Sequence, residues 1–224
     1  MSRLRRIVRG NSLSLAFLVI FAAALAGQAI AGWHLDNEEQ HDHGQPRVSL
    51  ARYLTSSRFA VETTENWQSE FLQFTLYVVA TVWLVQRGSS ESKEPGTEGG
   101  GTDEDERLGA HATEDSPRWA RAGGLRTAVY SNSLVLVFAI LFLASWAAQS
   151  ISGWRDVNDE RLAHDQGPIS WARYLMEPDF WDRTLQNWQS EFLAVGTMAI
   201  FAVFLRQRGS PESKPVGAPH DATG

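Results

Sequence analysis

The apolar residues of this chain come in blocks separated by polar stretches. Leu13 to Gly32 runs without a charge (LSLAFLVIFAAALAGQAIAG), and so does Leu134 to Gly153 (LVLVFAILFLASWAAQSISG). About 20 such residues, rising 1.5 Å each, cross a hydrocarbon core of roughly 30 Å as a helix. Two shorter apolar blocks, Phe71 to Val85 and Phe192 to Leu205, each follow NWQSE; a helix that takes in those residues reaches spanning length. The pattern predicts four transmembrane helices, over about residues 13–32, 66–85, 134–153 and 187–205.

The blocks repeat. Shifted by 121 residues, Asn11–Lys93 lies on Asn132–Lys214 without a gap, and 39 of the 83 positions are identical. The shared text includes Gly32-Trp33, Ala51-Arg52-Tyr53-Leu54 and NWQSEFL, which recur as Gly153-Trp154, Ala172-Arg173-Tyr174-Leu175 and Asn187–Leu193. Such self-similarity is the signature of a duplicated unit. Each unit reads helix, polar loop, helix, so two spans per unit leave both units facing the same way as parallel repeats. The expected fold is an all-α membrane protein of two tandem helix-loop-helix repeats, with short helices in the outer loops. Residues 1–93 form the first repeat and 125–215 the second. Between them, 94–124 (EPGTEGGGTDEDE and its flanks) reads as a flexible acidic linker, and 216–224 as a disordered tail.

Charge gives the orientation. Thirteen Lys and Arg lie in the N-terminus, the linker and the C-terminus, against seven in the two polar loops. The positive-inside rule places both termini and the linker in the cytoplasm and the loops outside. Trp33, Trp67, Trp154 and Trp188 then fall at the outer interface, where indoles anchor. Met1–Ala31 also has the form of a signal peptide, with Ala29-Ile30-Ala31 as a small-x-small site. The apolar stretch exceeds a usual signal core, however, and the pattern recurs internally at Ser150-Ile151-Ser152. The span reading is therefore preferred.

Composition alone hides all this. The chain is 43% hydrophobic and 21% charged, with net charge -6, and its mean hydropathy of -0.24 resembles that of a soluble protein. There is no cysteine, which excludes disulfides, thiolate catalysis and iron–sulfur clusters. The acidic balance argues against a nucleic-acid partner.

In the loops, Ser49 and Ser170 are expected to cap short helices. Pro178 is expected to break the second of these, with Asp179 capping a new helix on which Phe180, Thr184, Trp188 and Phe192 share a face. Glu70 and Glu191 begin the second span of each unit, at the depth of Gln28 and Gln149. Ionisable groups at membrane depth are functional candidates by default, and Arg52 and Arg173 are their natural loop partners. Glu39 with His43, and Glu160 with His164, are weak candidates for metal ligands. No GxSxG, P-loop, HExxH or dinucleotide fingerprint is present, so neither an enzyme nor a cofactor is expected.

The combination NSLSL, GQAIAGW, ARYL, NWQSEFL and QRGSSESK resembles a family of small bacterial membrane proteins known only as a domain of unknown function. The likeness covers most of each unit. The family pattern carries an acidic residue where Gln68 and Gln189 stand here, and its usual form is a single unit. The resemblance implies a bacterial cytoplasmic membrane and lends no activity. The expected function is a non-enzymatic membrane scaffold or envelope-associated protein, partnered by the bilayer and by copies of itself or another membrane protein. A small transport unit with an outward Glu/Gln site is the alternative, and metal-binding outer loops are the second alternative.

Overall fold

The computed structural model describes residues 3–224. Among them the chain is all-helical, with nine α-helices and no strand. α1 (Arg3–Gly10) leads into α2 (Ser12–Asp42). α3 (Leu50–Leu54) is short, and α4 (Ser57–Trp83) is long. After the linker and its short α5 (Arg118–Ala122), the order recurs as α6 (Gly124–Ser131), α7 (Ser133–Ala163), α8 (Trp171–Tyr174) and α9 (Pro178–Phe204).

Two helices, α2 and α7, are long and apolar enough to cross a membrane. Each runs about ten residues past the block expected to span. α4 and α9 are 27 residues long, but their N-terminal turns carry Arg58, Glu62 and Glu65, and Asp179, Asp182 and Arg183, which dilute their apolar character.

Local chemistry explains the boundaries. Asn11 and Asn132 interrupt the helices ahead of α2 and α7, their side-chain amides donating back to Ile7 O (2.9 Å) and Ala128 O (2.8 Å). Asn competes for backbone partners in this way and favours helix ends. Past the end of α2, Gly44 takes φ 70; at the corresponding place Asp165 takes φ 57, a left-handed conformation that Asp tolerates better than most. Ser49 and Ser170 cap α3 and α8, accepting from the N–H of Arg52 (3.3 Å) and Arg173 (3.2 Å), as expected. Asp179, however, is not a cap. Pro178 occupies the first turn of α9, where its missing N–H costs nothing, and Glu177 stands at the N-cap without a side-chain bond.

α4 is the central helix. It packs antiparallel along α7 and also touches α9. Phe71 and Phe74 of α4 meet Phe138 of α7, with ring centroids 6.4 and 5.2 Å apart. An aromatic cluster of Phe142, Trp146, Phe180, Trp181 and Trp188 joins α7 to α9. α2 lies at the edge of the assembly, held by Phe21 against Trp67 (6.2 Å) and by its loop end. The C-terminal residues fold back: Lys214 donates to the carbonyls of Gly88, His220 and Ala222, and Gly88 N–H donates to Thr223 Oγ1 (2.8 Å).

Candidate functional site: a charged cleft at the loop ends

The C-terminal ends of α2 and α7 and the N-terminal ends of α4 and α9 converge at the loop end of the molecule. They enclose a cleft of about 900 Å³ lined by Asp36, Glu39, His43, Arg58, Glu62, Asp156, Glu160, His164 and Arg183, among others. The backbone around it is fixed twice in the same way. Asn37 accepts from Val48 N–H (2.7 Å) and donates to Val48 O (3.2 Å), and Trp33 Nε1 donates to the same carbonyl (2.8 Å). Asn158, Ile169 and Trp154 repeat this at 2.7, 3.1 and 2.7 Å. Trp33 and Trp154, read from sequence as interface anchors, thus also pin the returning loop. The two asparagines escaped the sequence reading. Their signal was present, because both are retained in a polar segment whose other residues mostly differ between the halves.

Above each Asn a tyrosine is buried. Tyr53 and Tyr174 are inaccessible to solvent, and a Cβ at Gly32 or Gly153 would come within 2.1 or 2.3 Å of their hydroxyls. Each hydroxyl donates to an acid: Tyr53 to Glu62 and Tyr174 to Asp179, both at 3.2 Å. Each acid pairs with an arginine one turn away, Glu62 with Arg58 (3.4 Å) and Asp179 with Arg183 (3.2 Å). Arg58 corresponds in sequence to Asp179, and Glu62 to Arg183. The same triad is therefore built in both halves with acid and base exchanged.

The arginines also reach outward. Arg58 pairs with Asp36 (3.5 Å) and Glu39 of α2, and Arg183 pairs with Glu65 of α4 (3.4 Å). Burial dominates the titration here. It pushes the Asp156 carboxyl from 3.8 to about 6 despite the pull of Arg183 and Arg58. It raises Glu65 against the opposing Arg183, and raises Tyr53 to about 12 with help from Glu62.

The sequence candidates are only partly gathered. Glu39, Glu160, His43 and His164 all line the cleft, but each imidazole Nδ1 sits 2.8 Å from a carbonyl of its own helix, Glu39 O or Glu160 O. Among the described residues no three His or acid side chains are grouped to hold a metal ion. Glu70 and Glu191 lie outside the cleft, within electrostatic reach of each other. Ser69 Oγ donates to Glu191 at 3.4 Å. They do not pair with Arg52 and Arg173, which sit on the short loop helices. Arg173 instead binds Glu177 (2.7 Å), and Arg52 lines the charged cleft and, with Ser57 and Arg155, an adjoining one. Gln149 is fully buried and donates to Thr184 Oγ1 (3.4 Å); Gln28 is half-buried, and Thr63, the counterpart of Thr184, has no partner for its hydroxyl. Trp188 Nε1 donates to Gln68 Oε1 across α9 and α4 (2.8 Å), while Trp67 remains exposed.

No curated protein and no solved structure matches this chain. A family model does match, across residues 4–224, described as a domain of unknown function, DUF6766. The chain, with its paired Tyr–acid–Arg triads around one cleft, belongs to that family.

Proposed function

We propose that the protein is a non-enzymatic scaffold of the bacterial cytoplasmic membrane. In this reading four helices span the bilayer as two parallel tandem hairpins, with both termini and the linker cytoplasmic and the charged cleft outside. One observation carries it: the polar side chains at the loop ends of the helices are engaged with one another across helix interfaces. Trp188 binds Gln68, Ser69 binds Glu191 and Gln149 binds Thr184. Such interhelical hydrogen bonds hold membrane helices together where apolar burial gives no driving force. The cleft supports the same reading, since its arginines tie α2 to α4 and α4 to α9.

The transport alternative needs polar groups that continue toward the midplane. Beyond Glu70 and Glu191, α4 and α9 carry no ionisable side chain except Tyr77. The experiment is reconstitution into proteoliposomes. The wild-type chain is expected to conduct neither protons nor monovalent cations; a flux abolished by Glu70→Gln with Glu191→Gln would overturn the scaffold reading. Topology is checked with single cysteines, which the cysteine-free chain makes clean. Gln45→Cys and Gln166→Cys are expected to react with an impermeant maleimide on intact cells, and Asp103→Cys only after permeabilisation.

A further inference from the structure

The contact between the two halves uses one face of the first and a different face of the second. α4 presents Gln68, Ser69, Leu72 and Phe71, and it is met by Trp188, Glu191 and Phe138. A contact of this kind leaves one unused face of each type. The free face of the second half is on α9, where Gln189, Ser190 and Leu193 correspond to Gln68, Ser69 and Leu72. The free face of the first half is on α2 and α4, where Trp67, Glu70 and Phe17 correspond to Trp188, Glu191 and Phe138.

The contrast in exposure is large. Leu72 is 8% exposed and Leu193 is 70%. Gln68 and Ser69 are buried, whereas Gln189 and Ser190 are open. A half-turn relation between the halves would have brought α9 onto α2 and closed the pair, but α9 packs instead on α4, and α2 is left at the edge.

We propose that a second copy of this chain occupies these faces, head to tail, so that α9 of one chain packs against α2 and α4 of the next. The correspondence names the contacts. Trp67 donates to Gln189 of the next chain, as Trp188 donates to Gln68. Ser190 donates to Glu70, and Phe192 meets Phe17. At the position of the Arg183–Glu65 pair, Glu62 faces Gln186, so an amide N–H donates to the carboxylate in place of the guanidinium. The correspondence departs at the loop end, where Pro178 and Asp182 replace Ser57 and buried Val61, so that such an interface opens to solvent there, and again where Val195 replaces Phe74, which leaves Phe17 one aromatic partner in place of two. The proposal rests on the membrane-scaffold reading. At the depth of the spans an amide and a hydroxyl facing lipid are costly, whereas the same residue types in the first half are covered by protein. Because both ends are complementary, the chains join head to tail, into a ring where the rotation per chain closes and otherwise into an open row.

The test uses two differently tagged full-length chains expressed together, one with Trp67→Cys and one with Gln189→Cys, treated in membranes with a short bis-maleimide. A crosslinked product carrying both tags is expected, and neither chain expressed alone gives a dimer. Glu70→Cys with Ser190→Cys is the second pair, which leaves Trp67 in place. The reference is Gln68→Cys with Trp188→Cys within one chain, with a protease site inserted in the linker; its halves are expected to stay joined after cleavage. If the reference pair joins and both intermolecular pairs fail, the proposal is overturned, and it is likewise overturned if the reference pair fails. If crosslinks form but Gln45→Cys is labelled only after permeabilisation, the self-assembly stands and the assigned topology falls.

Discussion

The hydroxyl of Tyr174 occupies the space that a side chain at residue 153 would need: a Cβ on Gly153 would lie 2.3 Å from that oxygen. The tyrosine is buried and is also held by Asp179, so it has little room to retreat. Gly153→Ala is expected to destabilise the protein by about 1–3 kcal/mol, the usual cost of overpacking, and Gly32→Ala to do likewise through Tyr53. Gly196→Ala, which meets nothing within 4 Å, is expected to be neutral or slightly stabilising because Ala is the better helix former. Thermal unfolding in detergent, followed by tryptophan fluorescence, separates the two classes.

Asn37 and Asn158 each satisfy both backbone groups of a loop residue. Replacing either by Ala leaves the half-buried N–H of Val48 or Ile169 without its acceptor, at a cost of about 0.5–1.5 kcal/mol. The loop is expected to loosen before the helices do. Limited proteolysis around residues 44–48 or 165–169 reads this out, with faster cleavage in the variant at unchanged helical circular dichroism.

Asp156 gives a pH dependence whose sign is fixed. Its carboxyl is raised to about 6 in the folded chain from an ordinary 3.8, so between those values the folded state binds the proton more tightly than the unfolded state. Stability from this group therefore falls as pH rises from about 4 to about 6, and is flat above that. Asp156→Asn is expected to remove this slope and to raise stability at neutral pH. Chemical denaturation midpoints at pH 4.5 and 7.5, compared between wild type and variant, check it.

Arg183 bridges α9 and α4 through Asp179 and Glu65. Arg183→Ala leaves both carboxylates uncompensated and is expected to cost roughly 1–3 kcal/mol. Exchanging the pair, Asp179→Arg with Arg183→Asp, keeps the i, i+4 bond but sets a second carboxylate against Glu65 and removes the acceptor of Tyr174, so no recovery is expected. A double-mutant cycle with Glu65→Gln isolates the interhelical part.

Much of this was legible in sequence because it depends on short-range rules. The caps at Ser49 and Ser170 and the loop helices follow from local side-chain bonding. The all-helical character follows from the long uncharged apolar blocks. The site was less legible. Glu70 and Glu191 stand out one at a time as carboxylates beside apolar blocks, yet the charged cleft lies a few turns away, where Arg58 gathers acids within 22 residues of it and Arg183 reaches one 118 residues away. Arg183 and Glu65 illustrate this: nothing local marks them as neighbours, and only the crossing of α4 and α9 brings them together. Asp179 is not a cap because the helix already begins at Pro178, and its carboxylate accepts from Tyr174 instead.

The exchanged acid and base in the two triads have a further consequence. Joining two first halves would set Glu65 against Glu62, two like charges, where the natural chain sets Glu65 against Arg183. Joining two second halves would set Gln186 against Arg183 and lose an ion pair. Nearly half of the aligned residues are shared, yet the halves are not interchangeable parts. A single pair of swapped charges, one helical turn apart, makes the α4–α9 contact one that needs one half of each kind.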